Sequence, residues 1–313
     1  MYLYASVNRR IENLIACVAC AALLMVSLVS CGTPGDTPVP GDVTIPDPII
    51  LLPEASGSMV KENDKAVIDY SNTADGYVMV QYKAETEKKL KVQIKCSLDT
   101  YTFTIVQGQW EVLPLGNGSD DYKVQVFENV EGNKYSAVLS VAFSASLTDE
   151  FAPFLRPNQY VNYINAPKTM EQGAKLVAGH ESVLEKVEAV YDFVIKNFKY
   201  DRALAESVQS GYLPVLDEVL EKRKGICFDY ASIMTAMLRS QGVPCKLVVG
   251  YAADAYHAWI NVWSDEEGWI NKAVFFDGKT WQRMDPTFAS TSNSANIHKY
   301  IGDGNNYQEK YFY

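Results

Sequence analysis

The chain has 313 residues, a formal net charge of −10 at pH 7 and a pI near 4.9. This length allows two domains, because single hydrophobic cores rarely grow beyond about 250–300 residues. The acidic balance argues against nucleic acid or an anionic membrane surface as a partner. Its 20 tyrosines, 12 phenylalanines and 5 tryptophans are too many for a disordered acidic chain, so most of the sequence is expected to fold.

Residues 1–31 have the pattern of a secretory signal peptide. Arg9 and Arg10 precede an apolar run over residues 14–29, which is shorter than the about 20 residues of a membrane-spanning helix. The run ends in Leu28-Val29-Ser30-Cys31, which resembles the lipobox of bacterial lipoproteins. That resemblance implies that Cys31 becomes the mature N-terminus and carries a lipid. An ordinary signal peptide that leaves Cys31 free is the alternative.

Residues 32–52 are predicted to be a tether. The stretch from Gly32 to Pro48 is rich in Pro, Gly and Asp and has no apolar periodicity, a composition typical of extended linkers. The chain is therefore expected outside the cytoplasm, attached to a bacterial membrane only through the lipid on Cys31. The choice between the inner and the outer leaflet stays open.

Residues 53–146 alternate between apolar and polar side chains with a period of two, which is typical of strands. Six strands are predicted: Ala66–Tyr70, Tyr77–Tyr82, Leu90–Ile94, Tyr101–Ile105, Tyr122–Phe127 and Tyr135–Val141. Turn signals such as Asp75-Gly76 separate them. This spacing predicts an antiparallel β-sandwich of Ig-like architecture. The Cys…Trp…Cys signature of true immunoglobulin domains is missing, since Cys96 is the only cysteine of this segment.

Residues 147–313 are predicted to form an α+β domain, with helices first and an antiparallel sheet afterwards. Apolar residues from Val183 to Phe198 recur at helical spacing, and Ser182 with Glu185 predicts a capping box at the start of that helix. Further helices are predicted at Leu213–Lys222 and from Cys227 to about Gln241. Four strands follow: Lys246–Tyr251, Ala258–Trp263, Ala273–Phe276 and Trp281–Met284, the last two joined as a hairpin by Asp277-Gly278-Lys279.

Three residues in this domain have the chemistry that thiol catalysis requires. Cys227 is predicted in the first turn of a helix, where unpaired N–H groups and the helix dipole favour a thiolate. His257 and Asp285 are predicted on neighbouring strands, so that the imidazole could act as the base and the carboxylate could orient it. Four other residues of these types are predicted to be buried in the core: Cys96, Cys245, His180 and His298.

Residues 182–290 resemble the bacterial transglutaminase-like domains. The motifs that carry the resemblance are Gly225-Ile226-Cys227, His257-Ala258-Trp259, Asp285-Pro286-Thr287 and Lys199-Tyr200-Asp201. The resemblance implies a papain-like fold, with Cys227 as nucleophile, His257 as general base and acid, and Asp285 as the group that orients the imidazole. The connection Ser264–Thr280 is longer than the usual hairpin of the family. One oxyanion donor is expected from the Cys227 N–H, and the second is left open between Tyr200 and Tyr212.

The expected function is that of a surface lipoprotein with a thiol-dependent protease or amidase site, acting on peptide, protein or cell-wall peptide amides. Acyl transfer to an amine stays open, and hydrolysis is favoured. A non-enzymatic binding or adhesion module for peptide or cell-wall ligands is the alternative from another class. A zinc site formed by Cys227, His257 and Asp285 is disfavoured, because paired ligand spacings are missing. No cofactor or metal is therefore expected, and Cys227 and Cys245 are predicted to be unpaired.

Overall fold

The computed structural model describes residues 44–252, 255–270, 274–276, 281–283 and 307–313. The predicted signal peptide, its Cys31 and the first part of the predicted tether lie outside the described residues. Within those ranges, no helix is long and apolar enough to cross a membrane. Residues 44–313 form one compact unit.

Residues 60–145 form two four-stranded antiparallel sheets, ordered β1-β2-β3-β6 and β5-β4-β7-β8. The strands are β1 (Val60–Glu62), β2 (Ala66–Asp69), β3 (Tyr77–Tyr82), β4 (Leu90–Lys95), β5 (Thr100–Ile105), β6 (Trp110–Pro114), β7 (Asp120–Glu131) and β8 (Lys134–Ala145). Alternate residues of β4 and β5 point into a common core with β2 and β3. The six predicted strands are confirmed. The sequence did not predict β1, which is exposed, or β6, which lacks clean alternation.

The rest of the unit is an α+β arrangement, as predicted. Its elements are α1 (Pro167–Val177), α2 (Val183–Asn197), β9 (Lys199–Tyr200), α3 (Arg202–Ser207), α4 (Leu216–Lys222), β10 (Lys224–Gly225), α5 (Cys227–Arg239), β11 (Cys245–Ala252), β12 (Ala255–Ser264), β13 (Gly268–Ile270), β14 (Val274–Phe276), β15 (Trp281–Arg283) and β16 (Tyr307–Phe312). The main sheet has the order β13-β12-β11-β16, while β9 with β10 and β14 with β15 form separate pairs.

Helix α5 is the central element of this region. Every residue from Asp229 to Arg239 is buried, and the helix packs against α1, α2 and α4 on one side and against β11 and β12 on the other. Its apolar residues therefore form the core around which the other elements assemble. The helix ends at Arg239, slightly before the predicted end, and Gly242 follows with a positive φ of 73°.

The sandwich and the α+β region share one continuous core. Tyr313, which follows β16, places its ring 5.6 Å from that of Tyr101 and 5.8 Å from that of Phe103 on β5. On the N-terminal side, the Ile49 N–H donates to the Ser240 carbonyl at 2.7 Å, and Ile50 packs against the core. The last residues of the predicted tether therefore also contact the α+β region.

Two of the four predicted core residues are buried: Cys96 and Cys245 are 7% and 0% exposed. His180 is exposed after the end of α1, so its prediction as a core residue is wrong. The helix ends at Val177, and the turn that follows carries the histidine away from the core. His298 lies outside the described residues.

Candidate active site

Cys227 lies at the first position of α5, as predicted, and is half-buried. It lines a cleft of about 440 Å³. The N–H groups of a first helical turn have no partner within the helix, and the helix dipole is positive there. The Cys227 sulfur therefore lies at the positive end of the helix, where the proposed nucleophile is expected.

A buried carboxylate fixes the start of α5. The Ile226 N–H donates to Asp229 Oδ2 at 2.7 Å, and the Tyr212 hydroxyl donates to Asp229 Oδ1 at 2.7 Å. Burial raises the pKa of Asp229, against the effect of these two hydrogen bonds. Sequence reasoning missed this residue, although an acid at the third position of a helix is a known N-terminal signal.

Tyr212 and Tyr200 both line the cleft. Because the Tyr212 hydroxyl hydrogen is directed to the Asp229 carboxylate, Tyr212 is disfavoured as the second oxyanion donor. Burial raises the pKa of Tyr212, and the hydrogen bond to Asp229 adds to that shift. Tyr200 therefore remains the candidate for the second oxyanion donor.

A short parallel pairing of strands β9 and β10 positions the Lys199-Tyr200-Asp201 motif at the cleft. Tyr200 of β9 lies opposite Gly225 of β10, and the Asp201 N–H donates to the Gly225 carbonyl at 2.8 Å. Asp201 also accepts from the Leu204 N–H at 3.0 Å and pairs with Lys224 at 3.0 Å. The hydrogen bond from Leu204 is the main reason that the pKa of Asp201 is lowered. The residues just before Cys227 are thus held by the start of α3.

His257 lies on β12 opposite Gly250 of β11 and is 6% exposed. Its ring stacks on that of Trp259, with 6.4 Å between centroids. Because side chains alternate along a strand, His257 shares its face with Trp259, while Ala258 belongs to the opposite face, which includes core residues packed against α5. His257 and Cys227 are nevertheless both among the residues that line the cleft.

Asp285 lies outside the described residues, and its role stays a prediction. The strand before it, β15, pairs with β14 in an antiparallel ladder with Phe275 opposite Gln282. This confirms the predicted hairpin pairing. In the described chain that pair forms a sheet of its own rather than extending the sheet that contains His257.

The described part of the cleft lining is rich in aromatic side chains. It includes Tyr160, Tyr212, Phe228, Tyr256, Tyr311 and Tyr313. Among the described residues that line it, none is Asp, Glu, Lys or Arg. Burial raises the pKa of Tyr160 to about 12. The Tyr160 phenol is therefore neutral at physiological pH.

The cysteines of the described region differ in solvent exposure. All three are free thiols, and only Cys227 is not buried. Burial raises the pKa of Cys245 to about 11, which disfavours its thiolate. In the same part of the chain, no group of three His, Cys, Asp or Glu side chains is arranged to hold a metal ion. Cys227 is therefore the candidate nucleophile of the described region.

Residues 171–286 match the family model of the transglutaminase-like superfamily. The chain contains a transglutaminase-like domain. The matched range includes Cys227, His257 and Asp285. The domain also has the α+β fold that the resemblance implied.

Two curated proteins and one solved structure illustrate what this chain is similar to. A protein-glutamine gamma-glutamyltransferase of Pseudomonas aeruginosa is 33% identical over 70 residues, covering 18% of this chain and 10% of that protein. The human kyphoscoliosis peptidase is 25% identical over 147 residues, covering 46% of this chain and 22% of the peptidase. The chain thus spans less than a quarter of either relative. The periplasmic domain of TgpA from Pseudomonas aeruginosa aligns at 16% identity and a TM-score of 0.34, over 76% of this chain and 77% of that one.

Proposed function

We propose that the protein is a thiol-dependent protease or amidase whose nucleophile is Cys227. The observation that carries the proposal is that Cys227, at the N-terminus of a buried helix, shares one cleft with His257. The transglutaminase-like domain supports it, since that superfamily includes cysteine proteases and acyltransferases. The substrate class is a peptide or isopeptide amide of a protein or of cell-wall peptide.

The proposed reaction has two steps. The Cys227 thiolate attacks the carbonyl carbon of the amide, a C–S bond forms, and the C–N bond breaks as His257 protonates the departing amine. His257 then removes a proton from water, the hydroxyl adds to the thioester carbon, and the C–S bond breaks to return the thiolate beside the protonated imidazole and release the carboxylic acid. Asp285 would orient the imidazole and stabilise its positive charge. The Cys227 N–H would bind the oxyanion, and Tyr200 is the candidate for the second donor.

Hydrolysis is favoured over transfer to an amine. A transferase must keep water from the thioester, whereas the cleft here opens to solvent beside Tyr256, whose side chain is 62% exposed. The names of the two relatives include one transferase and one peptidase. Amine transfer is therefore the second outcome to look for once a substrate is found.

The proposed location is the extracytoplasmic face of a bacterial membrane, with Cys31 as the lipidated residue. The lipobox-like ending of the apolar segment supports this location. Expression in a bacterial host with an alkyne fatty acid should label the wild-type chain, and Cys31→Ser should lose the label and leave the membrane fraction. The control is Cys227→Ser, which should label as the wild type does. A Cys31→Ser variant that remains labelled would contradict the anchor.

The catalytic proposal is tested by the rate at which iodoacetamide alkylates Cys227 as a function of pH, resolved by peptide mass spectrometry. We expect fast alkylation that persists below pH 7 in the wild type, because a Cys–His ion pair keeps the sulfur deprotonated. His257→Ala should shift the profile to the ordinary thiol value near about 8.5. His180→Ala is the matched control, because His180 is exposed and does not line the cleft.

Cys96 and Cys245 serve as internal standards in the same digest. Both are buried, so their alkylation should stay slow while the protein is folded. A Cys227 profile that rises only near pH 8.5 and is the same in His257→Ala would contradict the enzyme proposal. The binding-module alternative would then lead, and peptide binding that survives Cys227→Ala would support it.

A further inference from the structure

One wall of the cleft comes from the N-terminal sandwich. Thr102 of β5 lines the cleft together with Cys227. Its neighbours Tyr101 and Phe103 point the other way and are buried, while Thr102 is exposed. A strand at the edge of the sandwich therefore presents its outward face to the site of the α+β region.

The same face of β5 supports the loop that forms the adjoining wall. Gly211, in a loop that also lines the cleft, has a φ of +92°, and a Cβ added to it would lie 3.1 Å from Thr104 Oγ1. The positive φ favours glycine at this position, and any side chain there would press against Thr104. Thr102 and Thr104 are two residues apart and share a face, so β5 contacts the loop at one position and the cleft at the other.

Tyr160 connects the sandwich wall to the neighbour of Cys227. The Gln159 side chain donates to the Thr104 carbonyl at 2.8 Å, and the Ser232 hydroxyl of α5 donates to the Tyr160 carbonyl at 2.8 Å. The Tyr160 ring lies 5.3 Å from that of Phe228, with a T-shaped geometry. The position of β5 relative to Cys227 is thus set by hydrogen bonds and aromatic packing.

The chemistry of the cleft favours an uncharged occupant. The whole chain carries a net charge of −10, yet the described lining contains no Asp, Glu, Lys or Arg. Away from the proposed Cys227–His257 pair, a charged side chain packed against these walls would lose water and find no charged partner among the described lining residues, which is costly. Aromatic walls favour aromatic and large aliphatic side chains through burial and ring contacts.

We propose that β5 forms a specificity wall of the cleft, and that Thr102 helps to select an uncharged aromatic or large aliphatic side chain next to the scissile amide. The inference rests on the proposed function in one respect, namely that the amide lies beside Cys227. In this proposal the sandwich contributes residues to the substrate site and is not a separate binding module. A charge placed at residue 102 should therefore change which substrates react at Cys227.

The test uses the full chain and four peptidyl vinyl sulfones that differ only in the side chain next to the reactive group: Phe, Leu, Glu or Lys. The measurement is the second-order rate of Cys227 modification. In the wild type, the Phe and Leu probes should react at least about tenfold faster than the Glu and Lys probes, since pocket discrimination of this kind is typically about 10–200-fold. Thr102→Lys should raise the Glu-to-Lys rate ratio about tenfold, and Thr102→Glu should lower it.

Thr100→Lys is the matched control, because Thr100 has the same parity on β5 but does not line the cleft. It should leave the order of the four probes unchanged. Equal rates for all four probes, or a Glu-to-Lys ratio that is the same in Thr102→Lys and Thr100→Lys, would overturn the inference.

Parallel iodoacetamide rates separate this inference from the proposed function. Fast, His257-dependent alkylation without discrimination among the probes would overturn only the specificity wall. If alkylation is slow and independent of His257, the wall is tested by binding of fluorescent Phe and Glu peptide amides to Cys227→Ala. A preference for Phe that Thr102→Lys reverses would support the wall even then, and equal binding of both peptides would overturn it.

Discussion

At the scale of single residues, the start of the helix that carries the proposed nucleophile is held by a buried carboxylate. Asp229 holds the Ile226 N–H and the Tyr212 hydroxyl, each at 2.7 Å, and is fully buried. Ile226 immediately precedes Cys227, so the hydrogen bond from Ile226 to Asp229 holds the first turn of α5 in place. The cost of burying the carboxylate is offset in part by these two hydrogen bonds.

The raised pKa of Asp229 predicts a specific dependence of stability on pH. The folded pKa lies above the unfolded value of about 3.9, so between the two values the native state binds more protons than the unfolded state. The contribution of Asp229 to the free energy of unfolding is therefore full below about pH 3.9 and is lost as pH rises through the folded pKa. Asp229→Asn should lack this fall, as measured by urea unfolding at a series of pH values.

Tyr212→Phe provides the opposite change for the same experiment. It removes a hydrogen bond that lowers the pKa of Asp229, so the fall in stability should extend to higher pH than in the wild type. The informative quantity is the difference in the free energy of unfolding between each variant and the wild type at each pH. Taking this difference cancels the titration of the other carboxylates. Parallel curves for the wild type and Asp229→Asn would show that Asp229 does not carry the effect.

At the scale of elements, the sequence indicated helix starts whose capping partner is close along the chain. It did not indicate those whose partner is distant. The capping box of α2 is confirmed, with the Glu185 N–H donating to Ser182 Oγ at 3.2 Å and the Ser182 N–H donating to Glu185 Oε2 at 3.1 Å. Both partners lie within four residues, so the pattern is visible in a short window. The start of α5 at Cys227 was also predicted, although its capping residue Asp229 was missed.

Helix α1 was not predicted, and its N-terminus is capped from a distant part of the chain. The Thr169 N–H and hydroxyl donate to Asp217 Oδ1 of α4 at 2.9 and 2.8 Å, and the Lys168 N–H donates to Oδ2 at 3.2 Å. No side chain within the helix supplies that acceptor. A single sequence gives no indication that residues 48 or 49 positions apart will meet in this way.

In the candidate site, too, local sequence patterns were predictive and long-range contacts were not. The order of Cys227 and His257 and the helix-to-strand change between them were enough to predict that they share a cleft. The position of Thr102 at the cleft depends on how β5 meets the α+β region, where Tyr311 and Tyr313, near the pairing of β16 with β11, pack against Tyr101. That pairing joins residues about sixty positions apart and leaves no periodic signature in the sequence.

At the scale of the whole molecule, strand β16 and the residue after it link the two regions. The buried Arg239 of α5 donates to the carbonyls of Cys245, Arg156 and Tyr313 at 2.8, 2.7 and 2.6 Å. Burial lowers the pKa of Arg239 to about 10, so it stays charged at neutral pH. On the other side, Tyr313 and Tyr311 pack their rings against Tyr101 of the sandwich. Shared packing of this kind favours unfolding in a single step.

Cooperative unfolding of the two regions can be measured with the buried cysteines. Cys96 reports on the sandwich and Cys245 on the α+β region, and both are inaccessible in the folded protein. Their alkylation should begin at the same urea concentration in the wild type. Tyr101→Ala should lower both midpoints together, because loss of a buried ring costs about 3–5 kcal/mol and this ring is buried at the joint between the regions.

Tyr135→Ala is the matched control, because Tyr135 lies on β8, is only partly buried and contacts Lys91 instead of β16. It removes the same atoms from the same sandwich and should lower the midpoints much less. If Tyr101→Ala exposed Cys96 at lower urea while the Cys245 midpoint stayed at its wild-type value, the two regions would unfold independently. The cleft wall formed by β5 would then be held only by local contacts, and mutations in the sandwich core should leave the reactivity of Cys227 unchanged.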